Sequence, residues 1–276
     1  MEITTSNLKR LQEIELEILK EFDRICKNNN LDYFLDSGTA IGAVRHGGFI
    51  PWDDDLDVGM IREDYERFLR IAPKELKPLY FLQTTQTDPK CPCLFAKIRK
   101  NGTIYQENDK LGMKMHMGIW IDIFPFDFIS DDEIEQKKII SKAKRYRNLF
   151  MIKKIPHIHP YNEGFKLLYL LKLVARKVVH IILQIVPDKH YLNKMNQLID
   201  EGKDKRDYLT CLYYHNPIVW RADKIIPVTK AEFEGFEFSF VNDADYYLKM
   251  QYGNYMELPP VEKRTGHKPL FISYED

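Results

Sequence analysis

Four aspartates occupy five positions in the stretch PWDDDLDVGM: Asp53, Asp54, Asp55 and Asp57. The last two flank a leucine and run into Val58-Gly59-Met60, which reads as a strand over 55–60. Side chains on a strand alternate between faces. Asp55 and Asp57 are therefore expected on one face, with Leu56 and Val58 entering a core. Two carboxylates so placed repel each other unless a cation lies between them. A divalent metal supplies that charge, and Mg²⁺ favours one or two carboxylates together with substrate phosphate oxygens; Mn²⁺ is the alternative. A second apolar run, GIWIDIF, carries Asp122 as its single acid, and a buried acid needs a partner. If the two strands are neighbours, Asp55, Asp57 and Asp122 converge on one or two metal ions that could polarise a transferring phosphoryl group. Taken alone, Asp53 and Asp54 read equally well as a solvated loop.

The rest of the pattern sets the fold class. Leu8, Leu11, Ile14, Ile18, Phe22 and Ile25 recur at three- and four-residue intervals, an opening amphipathic helix with Ser6 as its cap. Asn28-Asn29-Asn30 stops it. A short strand at 32–36, a helix from Gly38 to His46, the strand at 55–60, and a helix over 64–72 stopped by Pro73 follow. Strands are expected at 79–84, 94–99, 103–106 and 118–124. Residues 131–204 read as helical, 232–240 as a hairpin around Gly235, and 244–252 as a last helix, with an ordered loop after it. This is an α/β (α+β) chain: a mixed sheet with flanking helices and a helical insertion. The expected organisation is a core over 1–130 carrying the acids, a basic helical segment over 131–204, and a C-terminal part over 205–276 that completes the site.

Charge and cysteine content exclude other classes. Lys plus Arg and Asp plus Glu each number 41, so there is no overall polycation for nucleic acid. The balance is uneven: 137–177 holds twelve Lys/Arg against Glu163, a local charge of +11. Four cysteines in 276 residues do not make a disulfide scaffold, and Cys91-Pro-Cys93 lacks a second thiol pair at zinc spacing. A reducing, cytoplasmic compartment is expected. The N-terminal stretch lacks the apolar core of a secretory signal. The most apolar region, Leu167 to Val186, is interrupted by Lys172, Arg176, Lys177 and His180, so a membrane span is not expected.

LDSGTAIGAVRH adds an anion site upstream of the acids. Gly38 permits close backbone approach, the helix beginning there offers free N–H groups, and Thr39 adds a hydroxyl. At this point a resemblance becomes specific. SGTAIGAVRHGGFIPWDDDLDVGM closely resembles the signature of the LicD family of phosphocholine transferases, a branch of the nucleotidyltransferase fold. FAKIRKNGTIYQE, GIWIDIFPFD and YGNYMELPPVEKRTGH are similar to later family blocks in the same order, covering about 31–124 and 233–269.

The resemblance implies transfer of phosphocholine, or a related phospho-alcohol, from CDP-choline or another CDP-alcohol to a sugar of a cell-surface glycan such as teichoic acid, lipopolysaccharide or capsule. CMP would be released. Eukaryotic relatives that transfer ribitol phosphate share the motif, so the headgroup is left open. By the same resemblance Asp55 and Asp57 would ligate Mg²⁺, and Asp122 would be a third ligand or a base toward the acceptor hydroxyl. Gly38 and Thr39 would bind donor phosphate. Arg45, Lys97, Arg99, Lys263, Arg264 and His267, all within the matched blocks, are candidates to neutralise the diphosphate. A quaternary ammonium headgroup would want aromatic faces; Trp52, Trp120, Tyr252 and Tyr255 are the candidates.

The apolar helix over 164–186, with Lys172, Arg176, His180 and Gln184 as a polar stripe, could lie peripherally on an anionic membrane and meet a lipid-linked acceptor. It could also bind a polyanionic acceptor, or pack on the core with a solvated basic edge. Two other functions compete: a nucleotidyltransferase attaching NMP to a small molecule or protein, and a non-catalytic glycan- or choline-binding protein on a decayed enzyme, against which the intact aspartates speak.

Overall fold

The apolar run around Asp122 forms the longest strand. In the computed structural model, which describes residues 5–155 and 166–274, the strands are β1 (Phe34–Leu35), β2 (Asp57–Ile61), β3 (Tyr80–Gln83), β4 (Ala96–Lys100), β5 (Ile104–Gln106), β6 (Trp120–Ile129), β7 (Tyr208–Thr210), β8 (Val219–Arg221), β9 (Thr229–Phe233), β10 (Phe236–Phe240) and β11 (Phe271–Ser273). The helices are α1 (Thr5–Asn28), α2 (Ser37–His46), α3 (Arg62–Glu75), α4 (Glu133–Lys154), α5 (Lys166–Leu183), α6 (Asp188–Gly202) and α7 (Ala244–Tyr252).

Seven strands form a mixed sheet in the order β1-β2-β6-β4-β3, with β7 pairing the far half of β6 and β8 pairing β7. Only β2 and β6 run parallel; the other pairs are antiparallel. Nine of the ten β6 residues are buried, which is why this segment reads as a continuous apolar run. Pro125 sits in its middle without breaking it. The Asp122 N–H points toward β2, to the Leu56 carbonyl, so by alternation position 125 faces the other edge. There the β4 ladder has ended at Ile123 and the β7 ladder begins at Asp127. The missing proline donor falls in that gap.

Helix α1 lies across β4 and β6. Leu11, Ile14, Ile18, Phe22 and Ile25 are fully buried, each contributing roughly 1.5–3 kcal/mol of transfer free energy. The Phe22 ring meets Tyr33 at 4.9 Å and Phe68 at 5.0 Å, both edge-on. The β9–β10 hairpin turns at Glu234-Gly235, both at positive φ, as a two-residue hairpin of this hand requires. Helix α4 packs on both α5 and α6, and α6 also packs on β6.

Several local expectations need correcting. Ser6 lies inside α1, not at its cap. Helix α3 begins at Arg62 and carries Pro73 in its last turn, so the proline does not end it. Strand β6 extends to Ile129 because its second half gains a partner in β7. Strand β2 begins at Asp57, which leaves Asp55 in the preceding loop and removes the alternation argument for it. The helical stretch 131–204 comprises α4, α5 and α6; residues 156–165, including the first two of the apolar 164–186 segment, lie outside the described residues.

One buried acid ties α1 to the chain after α3. Glu21 accepts from Arg24 at 2.8 and 3.0 Å and from the Lys77 N–H at 3.1 Å. Burial pushes its carboxyl up, but these bonds outweigh burial and hold it down at about 2. A depressed carboxyl contributes stability above its unfolded value and loses it as pH falls toward the folded one. Glu21→Gln is expected to lower unfolding free energy in urea at pH 7 by about 1–3 kcal/mol. The deficit should shrink as pH falls from about 4.5 to about 2; a deficit independent of pH would contradict the assignment.

Candidate active site

Strand register aligns the polar residues. Asp57 in β2 is directly opposite Asp122 in β6, and Asp122 is directly opposite Lys97 in β4. Residues directly opposite share a face, so Lys97, Asp122 and Asp57 stand in one row across three strands. The row continues at both ends. Gln83 in β3 pairs with Lys97, and Asp36, just beyond β1, donates its N–H to the Asp57 carbonyl at 3.0 Å. The Asp57 N–H donates to Thr39 Oγ1 at 2.9 Å. Asp57 is therefore pinned by its backbone on both sides.

The charges in this row do not cancel. Lys97 is ion-paired with Asp122, and its ammonium lies 4.6 Å from the Trp120 ring centre. Asp57 has no cationic partner among the described residues. Burial, then the charges of Asp55, Asp122, Asp36 and Asp53, push its carboxyl well above the usual range. Burial and the Asp55 charge likewise raise Asp53. Asp36 caps α2, accepting from the Ser37 N–H at 2.6 Å and from the hydroxyls of Tyr214 and Tyr247; burial still raises it. An excess of carboxylate oxygens in a low-dielectric site suits a hard divalent cation. Asp57, and Asp55 with His267 Nε2 3.9 Å from its Oδ2, are the carboxylates that could hold one, with Asp122 beside them already engaged by Lys97.

A second cluster adjoins the first. Asp54, Asp55 and His267 offer ligand atoms all within 4.8 Å of one another. Asp54, fully enclosed, accepts from Tyr105 Oη at 2.7 Å, from the His267 N–H at 2.8 Å and from His267 Nδ1 at 2.9 Å. The hydrogen bond to Asp54 raises the His267 imidazole to about 9, so it is a cation at neutral pH and donates rather than ligates. Asp54 and His267 thus clamp the C-terminal loop against the acids. A Cβ at Gly266 would lie 2.4 Å from Asp54 Oδ1, so the loop approaches as closely as only glycine allows.

Asp55, Lys97, Trp120, Asp122 and His267 line one wall of a cleft of about 570 Å³, and α4 and α5 supply Arg147 and Arg176 to the other. That volume suits a small-molecule ligand.

The remaining sequence candidates fall elsewhere. Gly38 lies at the start of α2 against the Asp53 carboxylate, where a Cβ would sit 2.7 Å from it. The Thr39 hydroxyl accepts from the Asp57 backbone. Arg99 is fully buried, donating to Gln83 Oε1 and the Gly118 carbonyl at 2.5 Å each, and does not line the cleft. Arg45 donates to the Tyr255 carbonyl at 2.7 Å. Arg264 lies 5.1 Å from the Trp52 ring centre, so these two residues form a separate group with Arg45. Lys263 is exposed. Tyr252 is 43% exposed, and the charges of Asp36 and Asp57 act on its hydroxyl. Tyr255 is buried, its hydroxyl on Asp245 at 3.3 Å. Trp120 is thus the aromatic candidate that lines the cleft. Sequence reasoning did not put Asp36, Arg147 or Arg176 at the site; the signals were an acid immediately before a helix, a basic segment, and for Arg176 a position in the polar stripe of 164–186.

A cluster that holds like charges together costs stability, whereas a matched pair does not. Asp57→Asn should leave the thermal midpoint in chelator unchanged or raise stability by up to about 2 kcal/mol. Asp127, buried and bonded by the Arg62 guanidinium at 2.7 and 2.9 Å, provides the contrast: Asp127→Ala should cost about 3–5 kcal/mol. A large loss for Asp57→Asn would show that its charge is compensated within the protein.

Comparison with known proteins agrees with this geometry. The family profile described as LicD/FKTN/FKRP, nucleotidyltransferase domain, matches residues 30–160, a span that includes β2, β4 and β6. The lipopolysaccharide cholinephosphotransferase LicD of Haemophilus influenzae is 29% identical over 94% of this chain and 95% of its own. The human ribitol 5-phosphate transferase FKRP is 53% identical, over 12% of this chain and 6% of its own. The acid-bearing strands lie inside the matched span and one relative aligns almost end to end, so the chain is similar to the LicD family of phosphotransferases through its core and over most of its length.

Proposed function

We propose that this enzyme transfers phosphocholine, or a related phospho-alcohol, from a CDP-alcohol to a sugar hydroxyl of a cell-surface glycan, with Mg²⁺ bound at Asp55 and Asp57. The observation that carries the proposal is the row of Lys97, Asp122 and Asp57 beside a cleft of ligand size; the Haemophilus relative supports the headgroup and glycan class. In the reaction, the acceptor oxygen bonds to the β-phosphorus, the bond from that phosphorus to the bridging oxygen breaks, and CMP leaves with that oxygen. The bound cation would neutralise the diphosphate and the charge developing on the leaving group. Asp122, ion-paired with Lys97, would accept the hydroxyl proton. Trp120, whose ring already faces the Lys97 and Arg99 cations, can offer its remaining surface to a choline headgroup.

Incubation with Mg²⁺, a panel of CDP-alcohols and a glycan acceptor should release CMP, fastest with CDP-choline. Asp57→Ala should reduce the rate at least about 10³-fold, the scale on which removing a charge-stabilising group acts. Pyrophosphate released from a nucleoside triphosphate, with no CMP from any CDP-alcohol, would instead establish nucleotidyl transfer.

Helix α5 supports a peripheral contact with an anionic membrane bearing a lipid-linked acceptor, as part of the same proposal. Its polar stripe faces the protein: Arg176 donates to the Ile155 carbonyl at 3.1 Å, His180 Nδ1 bonds the Ile152 carbonyl at 2.9 Å, and Gln184 donates to the Lys153 carbonyl at 2.8 Å. Arg176 is therefore held against the protein and only partly exposed. The apolar face points outward instead, with Leu170, Val174, Val178, Ile181 and Ile185 all more than half exposed and Lys172 and Lys177 also exposed. An outward apolar face flanked by lysines is the form of an interfacial helix. None of the described helices is long and apolar enough to cross a membrane. Sedimentation with vesicles containing phosphatidylglycerol should be strong at low salt, weaker at high salt, and lost in the Val178→Glu, Ile182→Glu double variant. No binding at low salt would remove this part of the proposal.

A further inference from the structure

The cations lining the cleft differ in what they face. Lys97 is paired with Asp122, Lys110 with Glu107, and His267 with Asp54. Arg147 and Arg176 are paired with no carboxylate among the described residues. Arg147 is 8% exposed; its Nη2 donates to the His215 carbonyl at 3.2 Å and contacts Asn148 Oδ1 at 3.4 Å, while its Nη1 is buried without a partner. Arg176 donates through Nη2 to the Ile155 carbonyl, and its Nε is buried without a partner. Asp109 is the acid that acts on it electrostatically, without forming an ion pair. Burial pulls both guanidinium groups below the ordinary arginine range.

Leaving a buried cation without a counter-charge is expensive, and leaving its N–H groups unbonded adds to the cost. Proteins meet that cost where a ligand supplies the anion. The guanidinium fork matches phosphate oxygens in pairs, which a lysine cannot reproduce. Both arginines come from the basic segment 137–177, from two helices whose shared contact brings them to one wall.

We propose that Arg147 and Arg176 form a phosphate subsite in the wall of the cleft contributed by α4 and α5, apart from the carboxylate row. The subsite binds a phosphate oxyanion through the guanidinium groups of the two arginines that line the cleft, so the basic helices complete the cleft as well as carrying α5's outward face. The inference deepens the transferase reading by adding a second anion-binding point, which either the nucleotide phosphate of the donor or a phosphate of the acceptor could fill.

Calorimetry in chelator, with no turnover, tests it. The wild-type protein should bind inorganic phosphate, and Arg147→Gln and Arg176→Gln should each weaken that binding about ten- to hundredfold. Because Arg147 is buried, Arg176→Gln, on the more exposed helix, and the conservative Arg147→Lys guard against misfolding; Arg147→Lys should recover only part of the affinity. CMP and cytidine separate the sources. If both substitutions weaken CMP but not cytidine, the donor's nucleotide phosphate occupies the subsite. If phosphate binding alone is weakened and CMP is unchanged, the acceptor phosphate occupies it. Equal phosphate and CMP binding by the wild-type protein and both folded Gln variants overturns the subsite while leaving the transferase reading intact. Failure of CMP release with phosphate binding preserved would count against the transferase reading alone.

Discussion

The site depends on uncompensated negative charge at the start of two parallel strands. Pairing β2 with β6 sets Asp57 against Asp122 at one level, and the loop before β2 brings Asp53 and Asp55 to the same place. No hydrophobic gain at those positions requires acids. Val58, Met60, Ile121 and Ile123, all fully buried around them, provide the cohesion that holds the carboxylates together against their repulsion. The surrounding polar bonds are rigid for the same reason. Thr39 and Asp36 fix the Asp57 backbone, Tyr214 and Tyr247 hold Asp36, and Tyr105 with His267 holds Asp54. Stability spent in this way is characteristic of functional sites.

The basic helical segment completes that arrangement from the opposite wall. Part of its positive charge turns inward, with Arg147 and Arg176 lining the cleft and Lys153 and Lys154 both paired with Asp188, while Lys137, Lys138, Arg145, Lys172 and Lys177 stay exposed. Helix α5 has two distinct faces, polar toward the protein and apolar toward the outside. One element can thus hold an arginine in the cleft and present an apolar surface beside it, which would set the cleft close to whatever that surface meets.

Much of this was legible in the sequence, for identifiable reasons. The three- and four-residue spacing of Leu11, Ile14, Ile18, Phe22 and Ile25 marked α1 because the whole stripe is buried. Asp122 stood out because it is the lone acid in a run of apolar residues, and Lys97 because it lies in a block resembling the family. The alternation argument failed for Asp55, since β2 starts two residues later than the pattern suggested. Asp36 read as the end of a strand, although its side chain caps the next helix. Lys97 and Arg99 looked equivalent at alternate positions, yet Gln83 and the Gly118 carbonyl hold Arg99 in the core, away from the cleft. For α5, periodicity established that the helix has two faces, but which face turns inward depends on the carbonyls at the end of α4, which lie far away in sequence. Strands β7, β8 and β11 are three residues each, too short for a period-two signal.

The central claim is that the acids around Asp57 form a divalent-cation site and are not merely a tolerated cluster. Electron paramagnetic resonance of Mn²⁺ titrated into the protein tests this directly, because it counts bound ions without any substrate. The wild-type chain should bind Mn²⁺ stoichiometrically, in competition with Mg²⁺, and Asp57→Asn should weaken that binding at least about tenfold with the circular dichroism unchanged. Equal Mn²⁺ binding by the wild type and a folded Asp57→Asn variant would contradict it.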